Sequence, residues 1–214
     1  MITNRQSGTR VDEVGDGIYR VCTPIDIPGV GGFSFNQYLV LDDEPLLFHT
    51  GPRRMFPLVR EAVAQVLAPE RLRWIGFSHV EADECGSLNY WLAGGPHGET
   101  LSLGRRSVRW FDTPHLPHGW ECGYLFDEHS RTLFCGDLFT QDGTGHAPLT
   151  ESDILGPSER SRMGMEYYAH APNTRELLEK LATSQPGTLA CMHGSAWRGD
   201  GAQLLRSLAD AVCG

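Results

Sequence analysis

The stretch Trp74-Ile75-Gly76-Phe77-Ser78-His79-Val80-Glu81-Ala82-Asp83-Glu84 decides how this chain is read. Trp74 to Phe77 is a short apolar run, the mark of a buried strand, and it delivers Ser78 and His79 at its end. Four metal-ligating side chains, His79, Glu81, Asp83 and Glu84, then fall within six residues. A lone H-x-E means little, because polar loops carry such residues by chance. A dense cluster immediately beyond an apolar strand means more, since that is where a rigid scaffold displays functional side chains.

Working outward, three other segments repeat the arrangement. His118 follows Thr113-Pro114-His115-Leu116-Pro117, Asp137 closes Cys135-Gly136-Asp137, and His193 sits in Met192-His193-Gly194. Alternation and apolar runs predict strands at residues 20–22, 36–41, 46–48, 74–77, 108–111, 123–126, 132–135 and 188–191. Turns fall at Asp42-Asp43-Glu44-Pro45 and Asp127-Glu128-His129-Ser130. Helices are expected at 55–67, with Val59, Ala62, Val63 and Val66 on one face, and at 88–92, stopped by Gly94-Gly95-Pro96. Two more are expected at 173–182 and 202–212, the first with Asn173 as cap and Glu176 at the capping-box position. Strands with interspersed helices in two similar halves imply an α/β sandwich, and 214 residues suit one domain, 1–214.

Composition excludes several classes. Hydrophobic residues make up 40% and charged residues 21%, which argues for a globular chain and against disorder. The net charge of −9, with basic residues scattered rather than gathered, disfavours a nucleic-acid partner. No apolar run approaches the roughly 20 residues of a membrane span, and Met1 to Gly17 has no apolar leader core. The six cysteines form no CxxC pair, which fits reduced thiols and a cytoplasmic address.

As a set, these motifs resemble the metallo-β-lactamase superfamily, whose first motif reads H-x-H-x-D-H. Glu81 in the place of the second His makes the chain more similar to the flavodiiron proteins and related oxygen-binding diiron proteins, which carry H-x-E-x-D-H. The 19-residue separation of His118 and Asp137 and the Asn36-Gln37-Tyr38 strand resemble that subgroup too, over about residues 17–210. The resemblance implies an αββα sandwich. It also implies one metal held by His79, Glu81 and His118, another by Asp83 and His193, and Asp137 as bridge. Carboxylate donors favour iron first and manganese second, with zinc as a further candidate. Two positions depart from the pattern. Glu84 stands where a His ligand is usual; it either ligates as a carboxylate or turns away, leaving a mononuclear site. His49 replaces an Asp, and either hydrogen-bonds a ligand or is a satisfied buried histidine.

Asp83, His115 and Tyr168 are the candidate catalytic residues. His115 is expected to orient a ligand or line the pocket, and Tyr167 and Tyr168 to contact substrate from an insert that also carries His146 and His170. Trp120 either shields the metal or packs. His97 and His129 read as exposed turn residues. Cys85, Cys122, Cys135 and Cys191 adjoin the motifs as small fillers or, less simply, as oxidation sensors.

Three functions follow. The first is binding or reduction of O2, NO or peroxide at a diiron centre, as a sensor or as a reductase. A reductase would need an electron-donor protein, because 214 residues leave no room for a flavodoxin-like domain. The second is hydrolysis of an ester, lactone, thioester or phosphodiester by metal-activated water. The third is a binding module with a structural metal or none. The resemblance also suggests a homodimer.

Overall fold

Every strand that reaches the site does so because its side chains alternate between two apolar layers, each filled from both sides. The computed structural model describes residues 1–29, 31–91 and 100–214. One sheet contains β1 (Arg10–Gly15), β2 (Ile18–Ile27), β3 (Gly31–Val40), β4 (Leu46–Phe48) and β5 (Trp74–Gly76), in that order. The first four pair antiparallel, and β4 and β5 run parallel. The second sheet contains β6 (Thr100–Ser102), β7 (Ser107–Asp112), β8 (Gly123–Asp127), β9 (Thr132–Phe134), β10 (Leu149–Thr150), β11 (Thr188–Ala190) and β12 (Ala196–Arg198). Its order is β10-β12-β11-β9-β8-β7-β6, with β9 and β11 parallel neighbours.

On β3, Phe35 and Leu39 face one way, packing with Val59, Ala62 and Val63 of helix α1 (Phe56–Val63). Tyr38 and Val40 face the other, meeting Leu125, Phe134 and Ala190 of the second sheet. The far face of that sheet, through Tyr124, Phe126, Leu133 and Leu189, is covered by the last two helices. The short helices α2 (Ala82–Cys85) and α3 (Leu88–Trp91) and the longer α4 (Leu155–Gly164) precede them. They are α5 (Thr174–Ala182) and α6 (Gly201–Cys213), whose Leu177, Leu178, Leu181, Leu205 and Leu208 are buried together. Each such leucine contributes about 1.5–3 kcal/mol of transfer free energy. The order helix, sheet, sheet, helix is the αββα sandwich expected from the sequence.

Several elements differ from the sequence reading, each for a physical reason. The β2–β3 hairpin pairs without interruption from Ile18↔Val40 to Ile27↔Gly31, well beyond the strand read at 20–22; Ile25 and Ile27 are only partly buried, against the α1 side of the sheet. Strand β1 was not expected: Val11 packs toward α1 and Val14 between the sheets, leaving one apolar residue on each face. Helix α4 has no apolar stripe, and its buried residues are Ser158 and Ser161. Strands β10 and β12 are too short to show a period. Asn173 and Glu176 do not form the expected capping box; no side chain caps α5. Helix α6 is capped by Asp200, whose carboxylate accepts from the Gln203 amide at 2.9 Å. The Gly94-Gly95-Pro96 stop and His97 lie outside the described residues. Among the described residues no helix is long and apolar enough to cross a membrane.

Strands β4, β5, β9 and β11 end at His49, His79, Asp137 and His193 respectively, within one to three residues of each strand's last position. Parallel pairing of β4 with β5 brings the ends carrying His49 and His79 together in one sheet, and that of β9 with β11 brings those carrying Asp137 and His193 together in the other; packing of the two sheets joins the pairs in one site.

Candidate metal centre

Three imidazoles enter the site the same way, with Nε2 inward and Nδ1 held from behind. His79 Nδ1 lies 2.9 Å from Ser78 Oγ, which lies 3.1 Å from His49 Nε2; His49 Nδ1 in turn lies 3.1 Å from the Met192 sulfur. One proton arrangement satisfies the whole chain. His79 Nδ1–H donates to Ser78, the Ser78 hydroxyl donates to His49 Nε2, and His49 donates to the sulfur. His118 Nδ1 donates to the Tyr167 carbonyl at 3.1 Å, and His193 Nδ1 to the Ser34 carbonyl at 2.8 Å. With each Nδ1 carrying the proton, each Nε2 is free to present a lone pair inward, the arrangement that metal-binding histidines adopt.

The inward nitrogens converge on Asp137. Its Oδ2 is 2.8 Å from His118 Nε2 and 3.5 Å from His79 Nε2, while Oδ1 is 3.4 Å from His193 Nε2. The two oxygens therefore face different histidines, as a bridging carboxylate must. Glu81 Oε2 is 3.1 Å from His79 Nε2, and Asp83 Oδ2 is 3.4 Å from His193 Nε2. Donor atoms of His79, Glu81, His118 and Asp137 lie within 4.8 Å of one another, and so do those of Glu81, Asp83 and Glu84. These two overlapping groups could hold two ions.

Glu84 is the residue that most needs a cation. Its side chain is fully buried, and both carboxylate oxygens lack a hydrogen-bond partner. Burial, with Asp137 and Asp83 close by, pushes its acid group up to about 12. Asp137 behaves oppositely: burial would raise it, but the His118 and His193 imidazoles hold it well below the usual carboxylate range. Burial would lower His193, yet Asp137 and Asp83 carry it up to about 10. His118 is likewise raised by Asp137 against the effect of burial. Burial takes His49 down to about 3, so its ring is neutral and acts as an acceptor behind Ser78.

A cavity of about 500 Å³ opens onto these groups, lined by Phe33, Trp120, Met165, Tyr167 and Tyr168 beside the acidic residues. Trp120 stacks on His118, with ring centroids 4.7 Å apart. Of the sequence candidates, His79, Glu81, Asp83, Glu84, His118, Asp137 and His193 come together. Tyr168 lines the cavity and its buried hydroxyl has no partner. His115 does not join them: it is exposed, at φ 68°, with its amide donating to the Trp120 carbonyl. The proline-bracketed loop points His118 inward and turns its neighbour three residues earlier out to solvent. His146 Nε2 donates to the Asp142 carbonyl, while His129 and His170 pair with Asp16 and Glu166 at the surface. The six cysteines are free thiols, and burial raises Cys122, Cys135 and Cys22. A buried thiol raised in this way is a poor nucleophile, which fits the filler reading for Cys122 and Cys135.

Sequence reasoning missed the residues that hold the ligands. Asn36 Nδ2 donates to the carbonyls of Cys191 and Gly194, and Tyr38 to that of Cys191. The fully buried Arg20 donates to the Gly194 carbonyl at 2.6 Å. Together they grip the turn that carries His193. Only the Asn36-Gln37-Tyr38 pattern signalled any of this.

This two-sheet core, with its donors gathered at one edge of the strands, is a metallo-β-lactamase-type αββα fold. Within that class the chain is similar to the rubredoxin-oxygen oxidoreductase of Megalodesulfovibrio gigas, with 26% identity over 206 residues, covering 78% of this chain and 50% of that protein. It thus spans about half the length of this curated relative. Among solved structures, the rubredoxin oxygen:oxidoreductase of Desulfovibrio gigas superposes with a TM-score of 0.80 at 21% identity, over 94% of this chain and 62% of that one. A flavo di-iron protein variant from Thermotoga maritima gives 0.79 at 18%, over 95% and 61%. The flavodiiron protein from Giardia intestinalis gives 0.77 at 16%, over 95% and 59%. No protein-family model matches the chain.

Proposed function

We propose that this chain is a dinuclear, carboxylate-rich metalloprotein, with iron as its first metal, that binds or reduces O2, NO or peroxide. The observation that carries the reading is the convergence of three Nε2 atoms on the two oxygens of Asp137 beside a buried Glu84 with no partner. Without a cation Glu84 is held in its protonated form with neither oxygen partnered; two cations would let it ionise and would satisfy all four carboxylates. His79, Glu81 and His118 would hold one ion, Asp83 and His193 the other, and Asp137 both. Glu84 adds a fourth carboxylate.

Two irons held there would supply electrons for reducing a small ligand in the cavity. The chain's own part is to bind, orient and exclude water. Phe33, Trp120, Met165 and Tyr167 make the cavity wall largely apolar, which suits a small uncharged ligand. Tyr168 forms part of the cavity wall, with its hydroxyl buried and unpaired. Electrons for turnover would come from a donor protein, a role consistent with the name of the M. gigas relative. A cytoplasmic, single-domain setting fits the free thiols and the shared interior between the sheets.

Metal analysis by mass spectrometry on anaerobically purified protein, with optical spectra before and after air, tests the reading. About two irons per chain and a new visible or near-ultraviolet band on oxygenation are expected. Zinc with no spectral change would overturn it in favour of a hydrolase, to be tested next on ester and lactone substrates with His118→Ala as control.

A further inference from the structure

We propose that Glu84 determines which metal this centre accepts, turning it toward oxygen-preferring divalent ions, Mn(II) above all and Fe(II) next, and away from Zn(II). The inference rests on the metal-centre reading above and goes beyond it to selectivity. Its first support is that Glu84 has nowhere else to go. Glu81 is extended (φ −140°, ψ 167°), the chain then turns into α2, and the Glu84 carbonyl accepts from the Thr50 amide at 2.7 Å. Ser87 ties the far side of the turn to the same segment, its amide donating to the Gly51 carbonyl and its hydroxyl to the Thr50 carbonyl at 2.7 Å. The backbone is fixed from behind, and the side chain is left fully buried with Oε2 3.6 Å from His79 Nε2.

Its second support is the company Glu84 keeps. No lysine or arginine lines the cavity among the described residues, and the basic group beside this carboxylate is the His79 imidazole, with Nε2 3.6 Å from Oε2. Both its oxygens are unpartnered, and they share a cluster with Glu81 and Asp83. The donor set is then four carboxylates against three imidazoles, with no thiolate: Cys122 Sγ lies 3.9 Å from His79 Nδ1, behind the ring. Imidazole and thiolate donors suit zinc, whereas carboxylate donors suit manganese and similarly hard ions. Four carboxylates also match the charge of two divalent ions.

The test is equilibrium dialysis of the metal-free chain, without oxygen, against equal Mn(II) and Zn(II), with bound metal counted by mass spectrometry. Glu84→His is expected to raise the zinc-to-manganese ratio about tenfold or more over the unaltered chain. The near-isosteric Glu84→Gln, which carries the test if the histidine variant does not fold, is expected to move the ratio the same way by losing manganese. Glu84→Asp, which keeps the carboxylate, should stay close to the starting ratio. Unchanged ratios in Glu84→His and Glu84→Gln, with metal still bound, would overturn the role of Glu84 and leave the metal centre standing. Failure of the unaltered chain to take up either ion would overturn both.

Discussion

Replacing Ser78 by alanine removes one oxygen from a buried chain of three groups, and the structure says what that should cost. The Oγ accepts from His79 Nδ1 at 2.9 Å and donates to His49 Nε2 at 3.1 Å. His49 loses little, because the residue 78 backbone amide still points at the same nitrogen from 3.4 Å. The His79 Nδ1 atom loses its partner; the Cys122 sulfur at 3.9 Å is too distant and too weak an acceptor to replace it. One buried N–H is therefore orphaned, at a cost of about 1–3 kcal/mol. Urea denaturation of the metal-free protein should show that loss, with a fall in Tm of about 2–4 °C per kcal/mol. The His79 ring is also freed to rotate, so affinity at the His79 position should drop about 10–100-fold in a chelator competition. Stability within about 0.5 kcal/mol of the parent, the scatter of ordinary surface changes, together with unchanged affinity, would refute the relay.

Three other outcomes follow from the same geometry. His193 and Glu84 are both raised in the metal-free site, to about 10 and about 12, so their contribution is fully present only below their unfolded pKa values of about 6.5 and 4.3 and is lost as pH rises through the folded ones. The metal-free Tm should therefore fall between pH 6 and 9 while the metal-loaded Tm does not, and metal uptake in a weakly buffered solution should release protons measurable with an indicator dye. Gly194→Ala places a Cβ at φ 93°, 2.6 Å from the Gln141 side chain, in the turn that carries His193. It should cost about 1–2 kcal/mol for the backbone alone, with loss of one metal per chain by mass spectrometry. Phe134→Ala, at the fully buried contact with Tyr38 and Phe48 between the sheets, should cost about 3–5 kcal/mol in urea denaturation with little change in the site's ligands.

The ligand candidates were legible because their signal is local. His79, Asp137 and His193 each follow a short apolar strand, and the chemistry of side chains just beyond a strand can be read without knowing what faces them. The α1 face, the β8–β9 hairpin and the leucines of α5 and α6 were legible for the same reason: one residue period decides them. Strand β1 and helix α4 were not, because their burial depends on neighbours rather than on a period of their own.

What the tertiary structure alone decided is how the ligands are held and which donors are left without partners. Ser34, which accepts from His193, is 159 residues away along the chain, and Tyr167 is 49 from His118. No spacing rule reaches that far, since such pairs exist only after the sheets pack. The same holds for the two residues whose roles stood open. His49 lies behind His79 through Ser78, because parallel β4 and β5 end side by side. Glu84 turns inward, because Thr50, Gly51 and Ser87 fix the backbone on either side of it. Residue types set the chemistry available, and the packing of distant strand ends set which lone pairs point at one another.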